Sequence, residues 1–487
     1  MRIGVVTTSY PASEGDPAGS FVRGFARWLA TQGARVEVLA PVRGAALGEN
    51  EHENENRKEN ENGHGHGHGH GHEGEKGRGY DEVDDPGVTV ERVRFAPQRF
   101  TRALATGLPD ALERSRGAWV MGALAAGALT AAAARRHARW DALVTHWLVP
   151  CGAIGAALAR RPKRPHLAIA HSGDVHLALR LGLAPRLARA LLRSQTDVVF
   201  ASAELRTAFL AGAGAHAEAL AQASRVVAMG TSAGPPPSLA ERAAARAALA
   251  PEAPLLLGFM GRLQPIKGVH HLIDAVHATG TQALIAGAGP ERATLEARAL
   301  AHQSRSVHFL GGLPAGSPAW RQFFAAIDAL VVPSVELDGG RTEGTPVVIA
   351  EALAHGVPVL GAATGGVASA IGDAGLVHQT PTDLIENISK INTLRTCLED
   401  LRRNAIARAP SVGWPQVGAD LAAAMLPSRD GMAIVQRVNR VWPVTPASRE
   451  EVSNRCSAIS TSTVPSSSPS PTTRTSLAPA SGRSPRT

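Results

Sequence analysis

Aromatic residues are scarce in this chain, only 4% of 487 residues with two tyrosines, so its interior must be built largely from Ala, Val and Leu. The basic residues are not interleaved with aromatics, and without such stacking platforms nucleic-acid binding is disfavoured. The three cysteines, Cys151, Cys397 and Cys456, are odd in number and far apart. That excludes a disulfide framework or a zinc-type pairing and makes a reducing cytoplasm the default. The start, from Met1 to Pro11, is too short in its apolar run for a signal peptide. One uncharged segment, Gly117 to Ala134, reaches membrane-spanning length. It is dominated by Ala and Gly and followed by Arg135-Arg136, which reads better as a buried helix.

The chain has 44% hydrophobic residues, enough for two sizeable cores, and its length exceeds one ordinary domain. Its formal charge of +8 is unevenly spread. The stretch 49–78, rich in Glu, Asn, His and Gly, has eight acidic and four basic residues, whereas the tail 427–487 has eight basic and three acidic. The moderately basic body that remains suits phosphate-bearing substrates or anionic surfaces, and charge alone does not choose between them.

Residues 1–6 read as a strand, 20–32 as an amphipathic helix and 36–40 as a second strand, which together make a βαβ unit. Further strands are expected at Ala142–Thr145, Leu167–Ala170 and Val198–Ala201. After Pro235-Pro236-Pro237 the alternation restarts with strands at Leu255–Met260, Ala283–Ala286, Val307–Leu310, Ala329–Val332 and Val357–Gly361. The expected fold is therefore α/β, with two Rossmann-like domains, 1–230 and 253–426, joined by a linker at 231–252. Ligands of such sheets sit outside the carboxyl ends of the strands, so the site is expected in a cleft between the domains. The insertion 49–78 and the tail 427–487 are too polar to form a core and are expected to be disordered.

The segment Gly339-Gly340-Arg341-Thr342-Glu343-Gly344-Thr345-Pro346-Val347 leads into a helix ending at Gly356. Thr345 is suited to cap that helix, Pro346 to be its first residue and Gly356 to end it. A helix start preceded by glycines offers backbone N–H groups and a positive dipole end to a phosphate. Glu343 precedes that point, and Glu351 lies about 7.5 Å further along the helix at 1.5 Å per residue. Two acids so placed could meet a sugar on one side of a diphosphate and a ribose on the other, or Glu351 could simply be solvated. In Gly258-Phe259-Met260-Gly261-Arg262-Leu263-Gln264-Pro265-Ile266-Lys267-Gly268, Arg262 and Lys267 occupy a strand-to-helix loop. Two cations there could neutralise a departing nucleoside diphosphate in place of a metal ion; they are also readable as solvated loop charges.

Gly-Arg-Leu-x-Pro-x-Lys-Gly, then Gly287-Ala288-Gly289-Pro290, then Glu-Gly-x-Pro with its second Glu, resemble the retaining family 4 glycosyltransferases of GT-B fold. The resemblance covers roughly residues 1–46 and 80–426. It implies two Rossmann-like domains facing across a cleft, with a final helix at about 415–426 crossing back to the first domain. It further implies that Arg262 and Lys267 bind the donor diphosphate, Glu343 the transferred sugar and Glu351 the ribose. By the same resemblance Gly19, Gly261, Gly289, Leu313, Gly344, Thr345, Pro346 and Val347 line the donor site. His171 in His171-Ser172-Gly173-Asp174 is similar to the family's active-site histidine, and a purely structural role is the alternative. His146-Trp147 resembles another cleft-edge motif.

The implied reaction is transfer of a sugar from a UDP- or GDP-sugar to a sugar or lipid-linked hydroxyl acceptor, without metal or other cofactor. The expected place is the cytoplasm, with the inner face of the membrane as one option within it. Leu179–Arg193, with Arg180, Arg186, Arg189 and Arg193 among leucines, is readable as a membrane-surface contact or as a half-buried helix with a solvated basic face. Alternatives are a GT-B-like sugar-nucleotide epimerase and a non-catalytic metal-binding protein. The second rests on the five alternating histidines from His64 to His72.

Overall fold

The computed structural model describes residues 1–42, 85–97, 101, 116–160, 163–250, 252–302, 306–337 and 341–425. The insertion 49–78 with its Gly-His repeat, the tail 427–487 and Gly339-Gly340 lie outside the described residues.

Thirteen strands form two sheets among the described residues, with every strand pairing within them parallel. In the first, β1 (Arg2–Val6), β2 (Arg35–Pro41), β3 (Val88–Val93), β4 (Ala142–His146), β5 (His166–Ala170), β6 (Asp197–Phe200) and β7 (Ser224–Val226) run in the order β3-β2-β1-β4-β5-β6-β7. In the second, β8 (Leu256–Met260), β9 (Gln282–Ala286), β10 (Val307–Gly311), β11 (Ala329–Val332), β12 (Val359–Ala362) and β13 (Gly375–His378) run β10-β9-β8-β11-β12-β13. Strand order reverses between β1 and β4 in one sheet and between β8 and β11 in the other. At such reversals the loops at the carboxyl ends diverge and leave a crevice.

Central strands buried on both faces explain the continuous apolar runs of the sequence. Leu256, Leu284 and Leu330 point into one layer of the second domain with Phe323, Phe324 and Leu353. Leu257, Ile285 and Val331 point into the opposite layer with Leu272, Ile273 and Ile388. This alternation is the two-residue period of a strand.

The helix Trp414–Ala424 leaves the second sheet and lies on Ser20–Thr31 of the first. The contact is reciprocal: Trp414 covers Gly24, and Trp28 covers Gly418. Phe25 stacks on Trp414 with ring centres 6.1 Å apart. The chain crosses between the domains at Thr231 and at Gly413, where Thr231 receives a hydrogen bond from Trp414 N and gives one to Val412 O.

The helix Arg116–Arg136 departs from the expected burial. Ala118, Ala125, Leu129, Ala132 and Ala133 face the protein, but Trp119, Val120 and Leu124 are exposed. Its segment Gly117–Arg139 is, among the described residues, the one helix long and apolar enough to cross a membrane by length and composition. Alanines and glycines let that one face sit closely along β2 and β3 without enclosing the other.

Candidate functional site

The carboxyl ends of the two sheets meet. Gly15, after β1, packs on Pro314, so closely that a β-carbon at residue 15 would lie 2.6 Å from that of the proline. Ser172, after β5, donates its hydroxyl to Thr342 O at 2.8 Å. Thr345 donates its own to Ala201 O, after β6, also at 2.8 Å. The segment 342–345 therefore lies at the junction expected from the strand order.

Glu343 is the centre of that segment. Its carboxylate accepts from Lys267 Nζ and from the Ser334 hydroxyl. Lys267 closes the short 3-10 turn Pro265–Lys267 after β8, and Ser334 follows β11, so both partners come from strand ends at the β8/β11 reversal. The side chains of Lys267 and Glu343 are only 18% and 12% exposed, which removes most solvent screening from the pair. Of the two expected cations, Lys267 is paired with Glu343, and Arg262 lies exposed two residues beyond β8.

The backbone fixes Glu343 from behind. Gly365 has φ +50°, and a β-carbon there would lie 1.7 Å from Glu343 O, so only glycine fits. Gly366 N donates to Gly344 O at 3.0 Å. This support went unread in the sequence, where the signal that could have found it is the Gly365-Gly366 pair three residues after β12. The other glycines hold backbone against backbone: Gly261 N donates to Ala286 O at 3.0 Å, and Leu263 N to Ala288 O at 2.9 Å, which seats the Gly287–Gly289 turn on the β8 loop. Leu313 is partly buried against the second core, and Gly19, left-handed at φ +77°, starts the helix Ser20–Thr31.

One capping assignment is corrected. The helix begins at Val347, with Pro346 as its N-cap and no side-chain cap bond. Thr345 lies a residue too early to cap, and its hydroxyl goes to Ala201 O instead.

Glu351 is half-buried on the second turn of this helix. Desolvation pushes its carboxyl up to about 7, opposed by a hydrogen bond from the buried Trp320 side chain. It is therefore not a freely solvated acid.

In the first domain, His171 follows β5 and is buried, and burial lowers its imidazole to about 3. Its Nε2 lies 3.2 Å from Nδ1 of His146, whose imidazole is also held well below its ordinary value by burial and by His171. Both rings are neutral near pH 7, so His171 is a poor proton acceptor and a good orienting group. Asp174 anchors it, accepting from His171 N at 2.9 Å and from Leu148 N. Phe21 and Trp147 flank the His171 ring at 4.7 and 4.9 Å between ring centres. Trp147 has φ +68°, a strained value for a bulky residue and one that concentrates at functional sites.

Asp85, the one described member of the acidic run Asp81-Glu82-Val83-Asp84-Asp85, is buried. Its buried carboxylate takes Arg23 and the Tyr10 hydroxyl. Among the described residues no group of three His, Cys, Asp or Glu side chains is arranged to hold a metal ion.

A family model described as Glycosyl transferases group 1 matches residues 254–393. A D-inositol 3-phosphate glycosyltransferase of Actinosynnema mirum is 32% identical over 203 residues, 37% of this chain and 46% of that protein. A D-rhamnosyltransferase of Pseudomonas aeruginosa is 34% identical over 122 residues, 24% of this chain and 30% of that protein. The chain thus spans less than half the length of these two relatives. Anabaena HepE, solved in complex with UDP, superposes with a TM-score of 0.59 at 18% identity, covering 87% of this chain and 99% of that one. Sucrose-phosphate synthase from Thermosynechococcus elongatus gives 0.57 at 18% identity, covering 87% and 98%. Two parallel helix-covered sheets, their order and these superpositions make this a GT-B fold, in a chain that resembles the family 4 glycosyltransferases and whose residues 254–393 match the Glycosyl transferases group 1 model.

Proposed function

We propose that this protein is a glycosyltransferase that moves a sugar from a UDP- or GDP-sugar to a hydroxyl acceptor with retention of configuration. The observation that carries the reading is the Lys267–Glu343 pair at the interdomain junction, eight residues before the half-buried Glu351. Arg262 and Lys267 stabilise the diphosphate as its bond to the anomeric carbon breaks, without a metal ion. Glu343 stabilises the positive charge that develops on the sugar, and Glu351 accepts from ribose hydroxyls. The new bond forms on the face the diphosphate leaves, and the acceptor proton passes to the departing phosphate oxygen. His171 orients the sugar as a neutral hydrogen-bonding group.

The acceptor is a sugar or a lipid-linked sugar, and the place of action is the cytoplasmic face of a membrane. Support comes from the exposed arginines 186, 189 and 193 on Ala184–Arg193 and from the exposed face of Arg116–Arg136. The test is incubation of the full chain with UDP- and GDP-hexoses and a panel of saccharide acceptors. Nucleotide release should accompany a product whose anomeric coupling in NMR matches the donor. A free epimer of the donor sugar, or no turnover of any nucleotide sugar, would refute the reading.

A further inference from the structure

The two hydroxyl-to-carbonyl bonds across the junction grip the Glu343 segment at both ends. Ser172 holds Thr342 O, Thr345 holds Ala201 O, and Glu343-Gly344 lies between them. Gly344 sits against Ser172, where a β-carbon on residue 344 would be 3.1 Å from that of the serine. Ser369 adds a bond to Glu204 at the exposed rim, at 3.3 Å. Thr345 does not serve its own helix, whose start has no side-chain cap. Its hydroxyl is committed instead to the other domain.

The carboxylate is held differently, by Lys267 and Ser334 from the second domain alone. Its backbone is therefore held from both domains, by Ser172 and Ala201 of the first and by Gly366 N of the second, and its side chain by the second alone. Separation of the domains would release both ends of 342–345 while leaving Lys267 and Ser334 in place. The position of the carboxylate relative to His171 would then be lost.

We propose that Ser172 and Thr345 are positioning residues that set Glu343 against the transferred sugar only while the two domains are together. This rests on the glycosyltransferase reading above. Nucleotide affinity should be insensitive to the pair, because the proposed diphosphate and ribose contacts lie within the second domain. Turnover should be sensitive, because Glu343 acts on charge that develops in the transition state.

The test uses the full chain carrying Ser172→Ala, Thr345→Val, both together, and Thr345→Ser. Release of UDP or GDP is followed with the nucleotide sugar that the wild type turns over. Amide exchange of segments 201–206 and 341–350 is read by mass spectrometry in the same samples. The double variant should lose tenfold or more in kcat with donor KM changed less than threefold, and should exchange faster in both segments. Thr345→Ser, which restores the hydroxyl, should recover turnover to within twofold of wild type. Faster exchange with kcat unchanged would refute the positioning role, and unchanged exchange would refute the contact itself. If the wild type turns over no nucleotide sugar, the functional reading fails and the catalytic role with it, while exchange still decides whether the contact forms.

Discussion

Removing Lys267 tests the most interdependent contact in the site. With Lys267→Met, the Glu343 carboxylate keeps the Ser334 hydroxyl but loses its counter-charge. An exposed ion pair contributes about 0–1 kcal/mol, and stripping one partner from a fully buried pair costs about 3–5 kcal/mol. At 18% and 12% exposure this pair lies between those limits, nearer the buried one, so a loss of about 2–3 kcal/mol is expected. Glu343→Gln removes the charge and keeps the shape, and should cost less. The double variant should then be more stable than the sum of the two losses predicts, with a coupling of about 2 kcal/mol. Denaturant unfolding of all four proteins at pH 7.5 or so gives this cycle, provided the transition is two-state. Additivity to within about 0.5 kcal/mol would refute the pair. Turnover of Lys267→Met should fall by roughly 10²-fold, since the cation is assigned to the departing diphosphate.

The remaining expected outcomes concern the two acids, Arg262 and metal ions. Glu343→Gln should mainly lower kcat and Glu351→Gln mainly raise donor KM, as initial rates with varied donor would show, because ribose contacts change little between ground and transition states. Binding of a UDP-sugar should weaken as pH falls below about 7, where the raised Glu351 carboxyl takes up a proton that ribose binding must displace. By the same sign, Glu351 favours the folded state most at low pH, and that contribution is lost as pH rises through about 7; calorimetric titration of wild type and Glu351→Gln separates both effects from other groups. Arg262→Ala should lower turnover by roughly 10²-fold, and excess chelator should leave wild-type turnover unchanged; rescue of a chelated enzyme by Mn²⁺ or Mg²⁺ would refute the metal-free mechanism.

Much of the fold was legible because burial on both faces writes long apolar strands into the chain. The expected strands at Ala329–Val332 and Ala283–Ala286 match β11 and β9 to within a residue. The short β7 and β13 escaped, since Ser224-Arg225-Val226 and Gly375–His378 lie at sheet edges and carry mixed sequence. In the site, glycines and charges in sequence order marked which loops matter. What they could not mark was pairing across the chain. Nothing local in Lys267 announces Glu343, and Ser334 or Ser172 are ordinary residues until two strand ends meet. The Thr345 assignment failed for the same reason: a hydroxyl beside a helix start looks like a cap until another domain supplies a carbonyl.

The reciprocal fit of Trp414 over Gly24 and Trp28 over Gly418 makes the final helix a resident of the first domain. The chain therefore passes between domains twice, and the passes at Thr231 and Gly413 are bonded side by side. Two strands pinned together at one edge of a junction act like a door hinge, which permits swinging and resists sliding. Rotation about that edge would open the cleft between the sheets without shearing one past the other. A shorter chain ending before Trp414 would have a single strand there, and its halves could twist past one another.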